Sequence, residues 1–246
     1  MGKIEKLYNG FYLNKESANS QISGCKDYLR VAPIKKINSY VNLEIDYEHF
    51  TFAEKDKTWE IEYFHGLKNF LRIEKTGSPL IFIFDNHNHA PVFRYNIIYN
   101  KKIKNVELIH IDQHSDCWEN KNHLKLNWNE NELENIFHFY NEKCNVGNFI
   151  PSTIKSWIIS NQTQIRSISA LKNLKIEKNQ NFILDIDLDF CLNWIDRSII
   201  NEESIKILKK KFNEFLNFAL CTTIATSPYF LNQEVAINIL KKLLNE

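Results

Sequence analysis

Cysteine is present but not in any spacing that binds metal or forms a redox pair. The five residues, Cys25, Cys117, Cys144, Cys191 and Cys221, are odd in number, widely spread and contain no Cys-x-x-Cys. This argues against a disulfide framework or a zinc knuckle and favours a reducing, cytoplasmic setting. An excess of charge of one sign is also lacking. The 31 basic and 30 acidic residues leave +1, which gives no reason to expect nucleic acid or an anionic membrane as the main partner. No run of about 18 apolar residues occurs, so no transmembrane helix is expected. Met1-Gly2-Lys3-Ile4-Glu5-Lys6 is not followed by the apolar stretch of a signal peptide, and Lys6 stands where a myristoylation signal has Ser or Thr. There is no internal repeat, low-complexity linker or composition break. One domain over 1–246 is therefore expected, with residues 1–75 the least determined and a candidate substrate-binding elaboration.

Apolar content is ample for a core, at 43% hydrophobic and 13% aromatic. Short apolar runs at 80–84, 106–111, 182–187 and 220–225 have the length of buried parallel strands. Helical spacing is read over 59–73, 132–140, 201–216 and 232–244, and from Pro151 to residue 157. Asn201 or Ser198 is a candidate cap for the 201–216 helix, with Glu202 and Glu203 in its first turn. A short strand is read at 41–45, a polar loop at 14–24 and a turn at 145–148. Alternation of strand and helix predicts an α/β fold, a three-layer αβα sandwich around a mainly parallel sheet. In such sheets ligands sit beyond the carboxyl ends of the strands.

Those ends carry the chemistry. The run 106–111 leads into Asp112-Gln113-His114-Ser115-Asp116, an Asp-x-His-x-Asp pattern. Read as strand, its alternate side chains share a face about 6.6–6.8 Å apart. The run from Phe182 ends in Asp185-Ile186-Asp187-Leu188-Asp189, and 80–84 ends in Asp85-Asn86-His87-Asn88-His89. Carboxylates gathered at buried strand ends need a cation, because uncompensated they would cost several kcal/mol each, on the order of the desolvation penalty for buried ions. The candidate metal ligands are His87, Asp112, His114, Asp116 and two of Asp185, Asp187 and Asp189. Carboxylate and imidazole without thiolate suit Mn, Fe, Co or Zn, and so many carboxylates suggest two metals sharing ligands.

The pattern resembles the arginase/deacetylase superfamily, whose Asp-x-His-x-Asp and later Asp-x-Asp hold two Mn2+ ions. More closely, it is similar to the peptide arginases that convert arginine to ornithine within ribosomally made peptides. The segments that carry the resemblance are Phe84-Asp85-Asn86-His87-Asn88-His89-Ala90, His110-Ile111-Asp112-Gln113-His114-Ser115-Asp116-Cys117-Trp118, Val146-Gly147-Asn148-Phe149-Ile150, Leu184-Asp185-Ile186-Asp187-Leu188-Asp189-Phe190 and Ile224-Ala225-Thr226-Ser227-Pro228. They occur in the family's order. The resemblance implies that His87, Asp112 and Asp116 bind one metal and His114 the other, with Asp112 shared. One register makes Asp187 a second shared ligand and Asp189 a terminal one, leaving Asp185 in support; the other uses Asp185 and Asp187. It further implies two Mn2+ per chain and an arginine-containing precursor peptide as partner, with urea released; a homo-oligomer stays open. His89 is the nearest match for the family's proton-transfer histidine. Where free-arginine arginases carry a guanidinium-binding Glu before a late Val-Asn-Pro, this chain has Ala225-Thr226-Ser227-Pro228, so Glu234, Asp85 or Glu119 would have to substitute. The residues that grip a free amino acid are also missing, which fits a peptide substrate.

Asn148 and Trp118 are read as substrate-binding, against a turn-shaping role for Asn148 and core packing for Trp118 and Trp128. Lysines over 206–211 read as a solvated helix face, and nothing marks Cys117 as a nucleophile. Rival functions are another C–N hydrolase of the superfamily, acting on a free guanidino compound or an amide, and a peptide-binding protein with a degenerate site.

Overall fold

The structure, a computed structural model, describes residues 2–13, 29–37, 43–129, 131–177, 180–193 and 201–244. The elements in chain order are α1 (Lys3–Leu7), β1 (Phe11–Leu13), β2 (Leu29–Val31), β3 (Ile34–Ile37), β4 (Phe52–Lys55), β5 (Ile61–Phe64), β6 (Phe70–Ile73), β7 (Leu80–Phe84), α2 (Ala90–Lys101), β8 (Glu107–Ile111), α3 (Glu132–Glu142), α4 (Phe149–Lys155), β9 (Asn161–Ile165), α5 (Ile168–Asn173), β10 (Phe182–Asp187), α6 (Glu202–Leu216), β11 (Cys221–Ala225) and α7 (Gln233–Leu244). Seven strands form one sheet in the order β3-β6-β7-β11-β10-β8-β9. Every neighbouring pair is parallel except β6 with β7.

The strands are buried on both faces, which is why they read as apolar runs. One face carries Phe82, Phe84, Leu108, Ile183, Cys221 and Ala225, packed with Val92 and Phe93 of α2, Ile136 of α3 and Phe149 of α4. The opposite face carries Ile81, Ile83, Ile109, Ile111, Leu184, Ile186 and Ile224, packed with Leu208 and Phe212 of α6 and Leu240 of α7. This is the three-layer α/β architecture expected from the sequence. The strands at 80–84, 106–111, 182–187 and 220–225 form within a residue of expectation, and the helices at 132–140, 201–216 and 232–244 within two. Asn201 caps α6 by accepting from Ser204 N at 3.2 Å; Ser198 lies outside the described residues, as does the loop read at 14–24.

Two expectations need correction. The helix read over 59–73 is instead β5, a loop and β6. The spacing of Trp59, Tyr63, Leu67 and Phe70 is helical by coincidence, and Phe70 to Ile73 are claimed by pairing with β3 on one side and β7 on the other. Tertiary pairing outweighs a weak local pattern. The strand at 41–45 reduces, among described residues, to an isolated bridge between Ile45 and Leu67. Within residues 1–75, β3 and β6 belong to the main sheet.

Helix α2 was not expected. It is buried nearly all round, from Ala90 to Tyr95 and again at Ile97 and Ile98, so it lacks the one-sided apolar stripe that marks a surface helix. Pro91 lies in its first turn, where no N–H is needed. Among the described residues no helix is long and apolar enough to cross a membrane.

Candidate metal centre

Because β7, β11, β10 and β8 run parallel side by side, their carboxyl ends share one rim. His87 lies just past β7 in a short 3-10 turn, Asp112 follows β8, Asp187 closes β10 and Ser227 lies two residues past β11. Asp189 sits in a second 3-10 turn whose N-cap is Asp187. The loop after β8 is not strand, so the period-2 argument for Asp112, His114 and Asp116 fails; Asp116 turns back through a left-handed conformation with φ 51°. Asp tolerates that region better than most residues. The loop is held from outside itself. Asp112 N donates to Ile165 O at 3.1 Å, Gln164 Nε2 to His114 O at 2.8 Å and Trp118 N to Gly147 O at 2.8 Å.

The side chains converge. His87 Nδ1 lies 3.3 Å from Asp116 Oδ2, 3.3 Å from Asp187 Oδ2 and 3.6 Å from Asp112 Oδ2. His114 Nδ1 lies 2.8 Å from Asp189 Oδ2 and 3.5 Å from Asp112 Oδ1. The two oxygens of Asp112 thus face two different groups. Within each of the sets His87–Asp112–Asp187, His110–Asp112–Asp116 and Asp112–His114–Asp189, one potential ligand atom per residue falls within 4.8 Å of the others. Atoms bound at about 2.1 Å to one ion stand about 3.0 to 4.2 Å apart, so these spacings suit shared ions. Among these side-chain atoms, His87 Nδ1, His110 Nε2, Asp112 Oδ2 and both oxygens of Asp189 are buried without a hydrogen-bond partner. They approach one another but do not aim at one another, as ligand atoms around a common centre do.

The charge balance points the same way. Burial pushes Asp116 up to about 7, with repulsion from Asp112 adding, and Asp189 up to about 6 for the same reasons. Burial, then Asp189 and Asp112, drive Asp187 well above the ordinary carboxylate range. Burial opposes ionisation of Asp112 too, but the neighbouring rings of His110, His114 and His87 outweigh it and hold Asp112 well below. The histidines respond in turn. Burial disfavours their charge, yet the carboxylates raise His114 to about 10 and His87 well above its usual value. Several carboxylates therefore take up protons for want of positive charge, and a divalent cation relieves that shortage. The donor set of imidazole and carboxylate is right for such an ion.

Asp185 differs from its neighbours. It receives the guanidinium of Arg94, a hydrogen bond from Thr223 Oγ1 at 2.6 Å and the ring of His110, whose Nδ1 is 2.7 Å away. Burial opposes its charge, but Arg94, then His87 and His110, hold it ionised well below the usual range. Arg94 and His110 escaped sequence reasoning. The only signal for His110 was its place two residues before Asp112 within the apolar run that became β8; Arg94 had none, lying within the unforeseen helix α2. Ser227, left-handed at φ 49° and donating to Asp187, was also unassigned.

The remaining candidates fall elsewhere. His89 is fully buried among Tyr8, Phe70 and Phe84, its Nδ1 3.3 Å from Tyr8 Oη, and burial lowers it to about 3. Asn148 Oδ1 accepts from Asn145 N at 2.8 Å, closing the turn that precedes α4. Trp118 is 57% exposed and its ring lies over Gly147, where an added Cβ would stand 3.0 Å from it. Trp128 is 36% exposed and stacks near Tyr95. Core packing therefore describes neither tryptophan. Glu234 is exposed at the start of α7 and accepts from Tyr47 Oη at 3.1 Å. Glu119 is exposed. Asp85 is buried and already receives Leu67 N at 2.7 Å and Thr51 Oγ1 at 3.0 Å, and burial pushes it up to about 7.

No protein-family model matches the chain, and no curated protein matches its sequence. Among solved structures, the arginase of Helicobacter pylori is similar over 67% of this chain and 71% of that one, at 14% identity and a TM-score of 0.39. The reading of the site rests on its own donors and their geometry.

Proposed function

We propose that this protein is a dinuclear metal-dependent hydrolase that removes urea from arginine side chains of a ribosomally made precursor peptide, leaving ornithine. The observation that carries the reading is Asp112, whose Oδ2 faces His87 and whose Oδ1 faces His114, with the buried ligand atoms around it unpartnered. His87, Asp112, Asp116 and Asp187 would hold one ion, and Asp112, His114 and Asp189 the other, with Asp187 as a second shared ligand. Asp185 supports the ligands, because its own charge is met by Arg94 and Thr223. Two Mn2+ ions would fit the oxygen-rich set and, when bound, would supply the Lewis acidity that activates water for hydrolysis.

The chain's residues then do the rest. Ser227 fixes Asp187 by donating to it, and the ring of Phe230 lies tilted against that of His114 at 4.4 Å between centroids. The exposed carboxylate of Glu234 and the exposed Trp118 are the substrate contacts this reading favours for a positively charged side chain on a peptide. His89, neutral and enclosed by aromatic rings, is a poor proton carrier in this conformation.

The test is urea release from an arginine-containing precursor peptide, with free arginine, agmatine and an acetyl-lysine peptide run beside it. Release from the peptide with Mn2+ and not without it is expected. Turnover of agmatine or acetyl-lysine alone would move the reaction to a sister C–N hydrolase.

A further inference from the structure

One layer below the rim, three adjacent strands place polar residues directly opposite one another. Asp185 of β10 pairs in register with His110 of β8 on one side and with Thr223 of β11 on the other. On the same face the residues before them, Leu108, Ile183 and Cys221, are apolar core; beyond them come Asp187 at the end of β10 and Asp112 in the first position after β8. Successive same-face residues are about 6.6–6.8 Å apart, so this layer lies between the core and the centre. Arg94 reaches it from α2, donating to Thr223 Oγ1 at 3.1 Å and pairing with Asp185. All four side chains are fully buried.

We propose that His110 is a third imidazole ligand of the metal centre, clamped in its binding tautomer by Asp185 and Arg94. Its Nδ1 is committed to Asp185 Oδ2 at 2.7 Å. Because Asp185 is ionised, Nδ1 is the donor in that bond, so the neutral ring that a metal binds carries its lone pair on Nε2. Nε2 is buried, has no hydrogen-bond partner, and lies 3.2 Å from Asp112 Oδ2 and 3.9 Å from Asp116 Oδ2. Those are separations between ligands of one ion. A carboxylate that orients a metal-binding histidine through its far nitrogen is a common supporting arrangement, and here the carboxylate is itself anchored by a buried guanidinium. The ion beside His87 thereby gains a second nitrogen donor. The inference rests on the metal-centre reading above and not on the arginine chemistry.

The test is imidazole 15N NMR of the chain labelled with [15N]histidine and loaded with diamagnetic Zn2+. Three rings with one metal-shifted nitrogen are expected, assigned to His87, His110 and His114, with the His110 ring protonated on Nδ1. Two such rings would overturn the inference and leave the centre standing, and none would overturn both. In parallel, Zn2+ and Mn2+ affinity is measured by chelator competition. Asp185→Asn should weaken it by about 10–100-fold through the freed ring, and His110→Gln by more. Unchanged affinity in a folded His110→Gln, shown by its circular dichroism, would also overturn the inference; the ring count on the unaltered chain decides if that variant fails to fold.

Discussion

Two carboxylates two residues apart on one face of β10 live in opposite electrostatic worlds. Asp185 is met by Arg94, Thr223 and His110 and stays ionised well below the ordinary range. Asp187 meets the Ser227 hydroxyl, the Asp189 N–H and the ring of His87, yet burial and the carboxylates of Asp189 and Asp112 outweigh them and drive it well above. Both are buried, so burial does not separate them. What separates them is how much positive charge the protein itself supplies. Around Asp185 it suffices; around Asp187 it falls short, and a cation from outside would make up the difference. That contrast is the ground on which Asp187 rather than Asp185 is proposed as a ligand.

The largest effect should come from breaking the cation-seeking layer. Asp112→Ala or His114→Ala should reduce urea release to background while far-ultraviolet circular dichroism stays native, and near-normal turnover by either variant would remove the site from consideration. The self-sufficient layer should fail differently. Asp185→Asn leaves Arg94 buried without its anion, a loss of about 3–5 kcal/mol in stability expected from a broken buried pair. Urea denaturation measures it, and the companion change Arg94→Met in the same chain should recover part of the loss.

Acidity sharpens the contrast. Folding raises Asp116 to about 7 and Asp189 to about 6, against an unfolded value near 3.9. In the metal-free chain these groups stabilise the fold fully below about pH 4, and that contribution is lost as pH rises through 6 and 7. A bound metal requires the same groups ionised. The rise in Tm on adding Mn2+ should therefore be small at pH 5 and grow toward pH 8, as read by differential scanning calorimetry. A rise that shrinks with pH would contradict the ligand assignment. A smaller effect is expected from Ser227→Ala, which removes the hydroxyl that orients Asp187. Metal affinity should fall by about 10-fold, the lower end for losing such a support, with the fold unchanged.

Much of this was legible in advance, and what was missed has physical causes. The strands β7, β8, β10 and β11 are buried on both faces, so they announce themselves as apolar runs. Their parallel pairing then forces Asp112, Asp187 and His87 to one rim. Helix α2 carries no amphipathic signature because it is buried all round, and Arg94 was lost with it. His110 was hidden by its position inside an apolar run, where a histidine reads as filler until Asp185 is seen opposite it. The loop geometry of Asp116 depends on contacts from residues 145–150, which no local spacing encodes.

The account turns on whether the rim binds metal as a pair. Equilibrium dialysis of the metal-free chain against Mn2+ at pH 8, followed by elemental analysis, is the direct measurement. About two ions per chain, with none retained tightly by Asp112→Ala, is the predicted result. A folded chain that binds no Mn2+, Zn2+ or Co2+ would contradict it.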